Sequence, residues 1–468
     1  MDASRLATTQ PSIRVLMLPW LAHGHISPFL ELAKKLCSSN IAVYLCSTPA
    51  NLSSVEKRID SETFPHLHLA ELHLPADEDL PPHLHTTKNL PSHLMPVLKT
   101  AFDRSAPTFS RLLDSLSPHL LIYDFILPWA PVAAAQHSIP AVVFLPIAAC
   151  TAAFFIHHLT RSPEDQLPFP APRFPDPKQG EIMAMVNRMT NGISDGERMV
   201  QCLSRSDGFV ALRSFREIDA KYIDYLSSII QKEVVPVKPL LSPEENGGGE
   251  EAEWLSGKEK GTVVFVSVGS EYFMTEKERE EMGRGLDLCG LCFIWSVRSE
   301  GGDGRRRVSE ISGGRGLLVE GWAAQKKILA HPSVGGFVTH CGWSSVMEGI
   351  MNGVPMVAVP LQLDQPINAE LVVELGVGLK VREGGGCKFD GDEVARCIKE
   401  VVVGEKAGES VRRRAKEMAR AVCAKGDGGI NGLLEKIHLL VAASASASAG
   451  NERRVQPHEV GSTSAVLV

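Results

Sequence analysis

Three groups of residues in this chain have the types and spacing that chemistry needs. The largest runs Trp322-Ala323-Ala324-Gln325, then His340-Cys341-Gly342-Trp343-Ser344-Ser345, then Glu348, and ends at Asp364-Gln365. Its middle passes from a short apolar run, Gly335-Gly336-Phe337-Val338-Thr339, straight into a helical pattern over 343–352. A strand that turns directly into a helix leaves the first helical N–H groups without partners, and such a turn binds anions, a diphosphate among them. Gly342 lets the backbone come close to an anion, and the hydroxyls of Ser344 and Ser345 add donors at the positive end of the helix. Ser345-x-x-Glu348 also reads as a capping box, which needs no ligand. A cap, however, accounts for none of His340, Trp343, Asp364 and Gln365.

The second group is Trp20-Leu21-Ala22-His23-Gly24-His25, which follows the apolar run 13–19 and precedes a helical pattern through Phe29, Leu30, Leu32, Ala33 and Leu36. Open α/β sheets place their chemistry in such loops, at the C-terminal ends of strands. Histidine has the pKa suited to proton abstraction near neutrality, so a histidine here is a candidate general base, although single loop histidines are commonly structural. The third is Asp124, which ends the apolar run 120–123. A carboxylate accepting a hydrogen bond from the far imidazole nitrogen fixes the tautomer of a catalytic histidine; the plainer reading is that Asp124 caps the next helix.

Taken together, these residues resemble the signature box of plant UDP-dependent glycosyltransferases, the family 1 enzymes of the two-Rossmann GT-B fold, and the match runs along most of the chain. The resemblance implies an α/β protein of two doubly wound domains facing a cleft. It implies that Trp322, with Ala323 beside it, stacks on the uracil, that Gln325 lies by the base or ribose, and that Glu348 grips the ribose hydroxyls. His340, Ser345 and the helix start at Gly342 would hold the pyrophosphate, and Gly269 and Ser270 would approach it from a second turn. Trp343, Asp364 and Gln365 would hydrogen-bond the sugar, with Gln365 favouring glucose where histidine would favour galactose. It assigns His25, rather than His23, as base and Asp124 as its partner, in an inverting transfer from UDP-glucose that needs no metal and no cofactor.

The chain departs from that pattern at Ala324, where proline is usual, at Ser344, where asparagine is usual, at Lys238, normally glycine, and at Pro146, near a common threonine. Segments 71–75 and 82–87, Tyr123-Asp124 with Pro128-Trp129-Ala130-Pro131, and Glu271-Tyr272-Phe273 resemble the branch-forming members, which add a sugar to a sugar on a terpenoid, flavonoid or lignan glycoside. The expected partners are therefore a small-molecule glycoside acceptor and a UDP-sugar. Transfer to a bare aglycone hydroxyl, and a non-catalytic nucleotide-sugar sensor, stand as alternatives. A sensor would have no need of His25 with Asp124.

A chain of 468 residues that is 44% hydrophobic suffices for two or three domains with full cores. A formal net charge of -7 and a pI near 6.2 argue against nucleic-acid binding. A nicotinamide enzyme would carry G-x-G-x-x-G at a strand–helix turn, and none stands there. Ten cysteines without a framework suit a reducing cytosol. Cys289 and Cys292 have CxxC spacing but lie where a helix hands over to a strand, without the second pair that a zinc site needs. His66, His68, His73, His83, His85 and His93 find no further ligands at metal spacing, so no metal is expected.

The apolar stretches 15–22 and 141–156 read as strands, the latter leading into a helix, rather than as a signal peptide or a membrane span. The expected organisation is an N-terminal acceptor-binding domain at 1–233, a linker at 234–256, a C-terminal donor-binding domain at 257–441 and a disordered tail at 442–468. Residues 181–203 read as one amphipathic helix, and the protein as a cytoplasmic monomer.

Overall fold

Most strands of the chain are continuous buried aliphatic runs, the pattern of parallel sheets covered on both faces by helices. The computed structural model describes residues 13–454 apart from 163, 170–173, 175, 239–248, 270–271, 299–305, 385–386 and 425–427. In the first half, β1 (Ile13–Leu18), β2 (Ile41–Ser47), β3 (Leu67–Glu71), β4 (Leu120–Asp124) and β5 (Ala141–Leu145) alternate with helices. A small hairpin, β6 (Met189–Thr190) and β7 (Ile193–Ser194), precedes β8 (Phe209–Leu212) and β9 (Glu233–Pro236). The sheet order is β3-β2-β1-β4-β5-β8-β9, parallel throughout.

The second half repeats the plan with β10 (Val263–Ser267), β11 (Cys292–Val297), β12 (Arg307–Ile311), β13 (Gly316–Glu320), β14 (Val334–Thr339), β15 (Met356–Ala358) and β16 (Gly378–Lys380). Its order is β12-β13-β11-β10-β14-β15-β16, parallel except for the edge strand β12. Both sheets are doubly wound, and in each the winding reverses beside the first strand, between β1 and β4 and between β10 and β14. Loops leave the sheet in opposite directions at such points and open a crevice. His25 follows β1, Asp124 ends β4, Gly269 follows β10 and His340 follows β14, so the two-domain expectation puts all four at crevices.

Several boundaries differ from the expectation. The segment 181–203 is not one helix: Asp176–Val186 and Asp195–Ser204 are separated by the hairpin β6–β7. Asn191 and Gly192, at φ 55° and 75°, make its two-residue turn, and Asn-Gly is the sequence signal for that turn. The proposed linker 234–256 begins inside β9 and ends in the helix Gly249–Ser256, whose buried Glu251 pairs with Arg306 at 2.6 Å. The C-terminal end of that segment is therefore an ordered helix held by the ion pair of its buried Glu251; residues 239–248 lie outside the described ones.

The tail departs most. A helix runs from Gly428 to Arg454, through the expected domain end at 441 and into the segment read as disordered. Its buried Ile430, Leu433 and Ile437 pack with Ile13, Val43 and Phe209 of the first domain, so the chain crosses back to that domain. Alanine, the best helix former, lets the Ala-Ser tract extend the anchored part. Residues 455–468 lie outside the described ones. No helix among the described residues is long and apolar enough to cross a membrane.

Candidate active site

β1 and β4 are parallel neighbours, with Leu18 opposite Tyr123, so the residues that follow them meet although 99 positions separate them. His25 lies in the first turn of the helix His23–Cys37. Its Nδ1 is 2.8 Å from Asp124 Oδ2, an oxygen that also accepts the Trp20 backbone N–H at 3.1 Å. The carboxylate accepts, so Nδ1 carries the proton and Nε2 keeps its lone pair. Asp124 is fully buried behind His25, whose ring stacks on Phe125 and remains 21% exposed to the cleft. The next helix, Trp129–Gln136, is capped by Pro128, so Asp124 is not a helix cap. His23 bonds Ser27 Oγ at 3.3 Å instead of a carboxylate. Burial, then the charges of Arg58, Arg298 and Lys88, push its pKa down to about 4.

On the opposite lobe, the turn His340-Cys341-Gly342 joins β14 to the helix Trp343–Asn352. Cys341 adopts φ 65°, a conformation costing a non-glycine residue on the order of 1 kcal/mol or more, of the kind that collects at functional turns. The helix has Gly342 as N-cap and no side-chain cap, so its first N–H groups face the cleft unclaimed by side chains. The capping box is absent. Ser345 Oγ instead accepts from Gln325 Nε2 at 3.1 Å, and the same amide donates to Glu348 Oε2 at 2.8 Å. Burial raises the pKa of Glu348, while the Gln325 bond and then the charges of Lys326 and Arg213 oppose it. Trp322, half exposed after the turn at Gly321 (φ 102°), offers a ring face to the cleft. Its edge neighbour from the other lobe is His23, at 6.1 Å.

His340 is enclosed by two glycines: a Cβ on either Gly269 (φ 85°) or Gly342 would stand 2.5 Å from its Nε2. Gly269→Ala is therefore expected to displace this ring and weaken UDP binding about tenfold or more, the scale of a lost charge-assisted hydrogen bond. Titration calorimetry checks it, and wild-type affinity would contradict the packing. Ser270 lies outside the described residues. Burial pushes His340 down from 6.5 to about 4, with the Ser267 backbone acting the other way. Between those values the unfolded chain binds more protons, so stability falls as pH drops through that window. His340→Asn should flatten part of this loss in denaturation midpoints measured at pH 7 and 5; an unaltered slope would count against a neutral ring.

The sugar-side residues need one correction. Trp343 cannot reach a sugar through its indole, because that N–H donates to the Arg213 carbonyl at 2.7 Å; its backbone N–H remains. Gln365 spends its side-chain oxygen on the N–H groups of Leu361 and Gln362, at 3.0 and 2.9 Å, which leaves its NH₂ as donor. Asp364 accepts from Asn368 Nδ2 at 2.8 Å, and burial raises its pKa against that bond and the nearby charge of His25. Ser344 Oγ accepts from Arg213 Nη1 at 2.7 Å. All the described donor-side residues singled out in the sequence, with His25, line one cavity of about 280 Å³ between the lobes, in the size class of small-molecule sites. Pro146 lines it too.

Sequence reasoning passed over Arg213, Glu31, Lys326 and Asn368. Arg213 stands directly after β8, where the strand-end rule could have found it, and Glu31 is a charge inside a buried apolar run. The histidine-rich stretch forms no cluster: His73 pairs with Glu71 at 3.1 Å and His85 Nε2 lies 3.1 Å from the Leu80 carbonyl. Among the described residues no group of three or more His, Cys, Asp or Glu could hold a metal ion.

Residues 11–240 match a family described as glycosyltransferase, N-terminal domain, and residues 241–415 one described as UDP-glucoronosyl and UDP-glucosyl transferase. UDP-glucosyltransferase 29 of Panax ginseng is 43% identical over 91% of this chain and 96% of its own. A mogroside IIIx synthase of Siraitia grosvenorii is 43% identical over 95% and 98%. The beta-D-glucosyl crocetin beta-1,6-glucosyltransferase of Gardenia jasminoides is 40% identical over 92% and 100%. In fold, the chain is similar to Glycyrrhiza uralensis UGT73P12 complexed with glycyrrhetinic acid 3-O-monoglucuronide (TM-score 0.79, 22% identity, 95% and 99% covered). It is also similar to Os79 of O. sativa in complex with UDP (TM-score 0.71, 24% identity, 91% and 100% covered).

Proposed function

This chain belongs to the UDP-glucoronosyl and UDP-glucosyl transferase family, and from that premise we propose that it moves glucose from UDP-glucose, with inversion, onto a sugar hydroxyl of a plant metabolite glycoside. It is a UDP-glycosyltransferase of the GT-B fold. The observation that carries the mechanism is the 2.8 Å His25–Asp124 bond, which puts the proton on Nδ1 of a ring that lines the cleft and makes Nε2 the basic nitrogen. Nε2 takes the proton of the acceptor hydroxyl as that oxygen attacks the anomeric carbon. The carbon–oxygen bond to the diphosphate breaks on the opposite face, so an α-linked donor yields a β-glycoside. Asp124 holds the imidazolium that results, with its second bond to Trp20 keeping the carboxylate in place.

The departing diphosphate carries growing negative charge. In our reading the open helix start at Gly342 to Ser345, with His340 and Gly269, receives it. Trp322 is the shelf for uracil, and Glu348, oriented by Gln325, bonds the ribose. Asp364 and the NH₂ of Gln365 bond the sugar hydroxyls and set the preference for glucose. The ten cysteines, none paired, fit work in a reducing cytosol, and the reading takes the working form to be a single chain.

Support for a sugar hydroxyl as acceptor comes from relatives named for such steps: the crocetin enzyme above, and the flavanone 7-O-glucoside 2''-O-beta-L-rhamnosyltransferase of Citrus maxima, 39% identical over 93% of this chain. Purified protein with UDP-glucose should glucosylate a terpenoid or flavonoid glycoside and leave the matching aglycone largely untouched. Robust transfer to the aglycone alone would refute the acceptor class.

A further inference from the structure

We infer that Arg213, braced by Glu31, is a positioning residue that ties the lobe carrying the base to the first turn of the donor helix and so sets the gap across which the sugar moves. The inference rests on the transfer reading above. Arg213 belongs to the first lobe, directly after β8, and its side chain is 6% exposed. Its Nη2 donates to Glu31 Oε2 at 2.9 Å within that lobe. Its Nη1 donates across the cleft to Ser344 Oγ at 2.7 Å, and its carbonyl accepts the Trp343 indole N–H at 2.7 Å. From the second lobe, Lys326 Nζ also reaches Glu31, at 3.5 Å.

The placement of these groups gives the contact its meaning. Trp343 and Ser344 are the first two residues of the helix whose N–H groups open onto the cavity. Glu31 lies on the helix His23–Cys37, six residues beyond His25, or about 9 Å along its axis, with Pro28 between them. The chain of contacts therefore runs from the helix of the base, through Glu31 and Arg213, to the turn that holds the leaving group. Closed lobes at this spacing give Nη1 of a buried guanidinium its acceptor, although Nε has no hydrogen-bond partner among the described residues of either lobe. Separated lobes strip it of Ser344 and leave the Trp343 indole without its acceptor, and buried polar groups are costly to leave unpaired. Other contacts still join the lobes, among them Thr151 to Asn368 at 2.9 Å and Tyr222 to Glu374 at 2.7 Å. Loss of Arg213 thus loosens the register of the two halves rather than parting them.

The test uses the full chain with UDP-glucose and a glycoside acceptor, comparing Arg213→Met, Ser344→Ala and the double variant with the wild type. Three quantities are read: kcat and KM, the affinity for UDP, and the ratio of sugar delivered to acceptor over sugar released to water. Arg213→Met is expected to lower kcat about tenfold or more, on the scale by which a small misplacement slows an enzyme, with UDP affinity changed far less. The ratio should fall, because water tolerates a misset gap that a bulky acceptor does not. The double variant should lose no more than Arg213→Met alone. An unchanged ratio, or losses that multiply in the double variant, would overturn the inference even with kcat reduced. If Arg213→Met does not fold, Ser344→Ala, which removes the oxygen that accepts from Arg213 along with a hydroxyl of the helix start, must show the lowered ratio with UDP affinity kept. A wild type that transfers no sugar would instead sink the reading beneath, so the two failures are told apart.

Discussion

His25→Ala is expected to abolish sugar transfer while UDP still binds. The imidazole is the only ring in the cleft held by a carboxylate among the described residues, and a positioned base contributes on the order of 10²–10⁴ in rate. Every group assigned to the uridine and the diphosphate stands on the second lobe, so removing a side chain of the first leaves those contacts standing. Turnover with a glycoside acceptor and a calorimetric UDP titration, run on the same preparation, give the answer. A variant that keeps wild-type kcat/KM would remove His25 from the role of base. A variant that loses both turnover and UDP binding would mean that the histidine shapes the donor site instead.

Asp124→Asn should fall almost as far, and for a reason visible in the buried carboxylate. Oδ2 accepts from Trp20 and His25, whereas Oδ1 is buried without a hydrogen-bond partner. An asparagine with its oxygen at the first position places an NH₂ in an apolar recess, an unpaired donor costing about 1–3 kcal/mol. Turned over, it presents NH₂ to two N–H groups and forces the imidazole into the other tautomer, with Nε2 protonated and unable to take a proton. Either arrangement leaves a neutral group where an imidazolium must form. We expect turnover reduced on the order of 10²–10³-fold together with a lower melting temperature, a pairing that His25→Ala need not show. Turnover within a few-fold of wild type would contradict the dyad.

Why some of this was legible in the sequence and some was not follows from the range of the interactions. The donor turn was readable because a strand pattern ends and a helix pattern begins around His340 to Trp343, and the structure has β14 and the helix Trp343–Asn352 there. The His25–Asp124 pair was readable because Asp124 ends one apolar run and His25 follows closely on another, and adjacent parallel strands bring such ends together. Arg213 was not, since its partners Glu31 and Ser344 lie 182 and 131 positions away and no local periodicity records them.

Trp343 shows a different limit: residue type pointed to the site, but not to which of its N–H groups is free, and the indole turned out to serve the interlobe contact. The helix Gly428–Arg454 misled through composition, because an Ala-Ser tract has nothing to bury on its own, and its order comes from Ile430, Leu433 and Ile437 docked on another domain. The Asn191-Gly192 turn signal stands inside a stretch whose amphipathic spacing is helical on either side of it, and that spacing hides the break.

A crystal structure of the chain with UDP and a glycoside acceptor both bound measures the decisive distance. We expect one sugar hydroxyl within about 2.6–3.2 Å of His25 Nε2, with the uracil lying on Trp322 and the diphosphate at the N-terminus of the helix Trp343–Asn352. An acceptor whose hydroxyls all lie beyond reach of that nitrogen, or a uridine seated away from Trp322, would contradict the account.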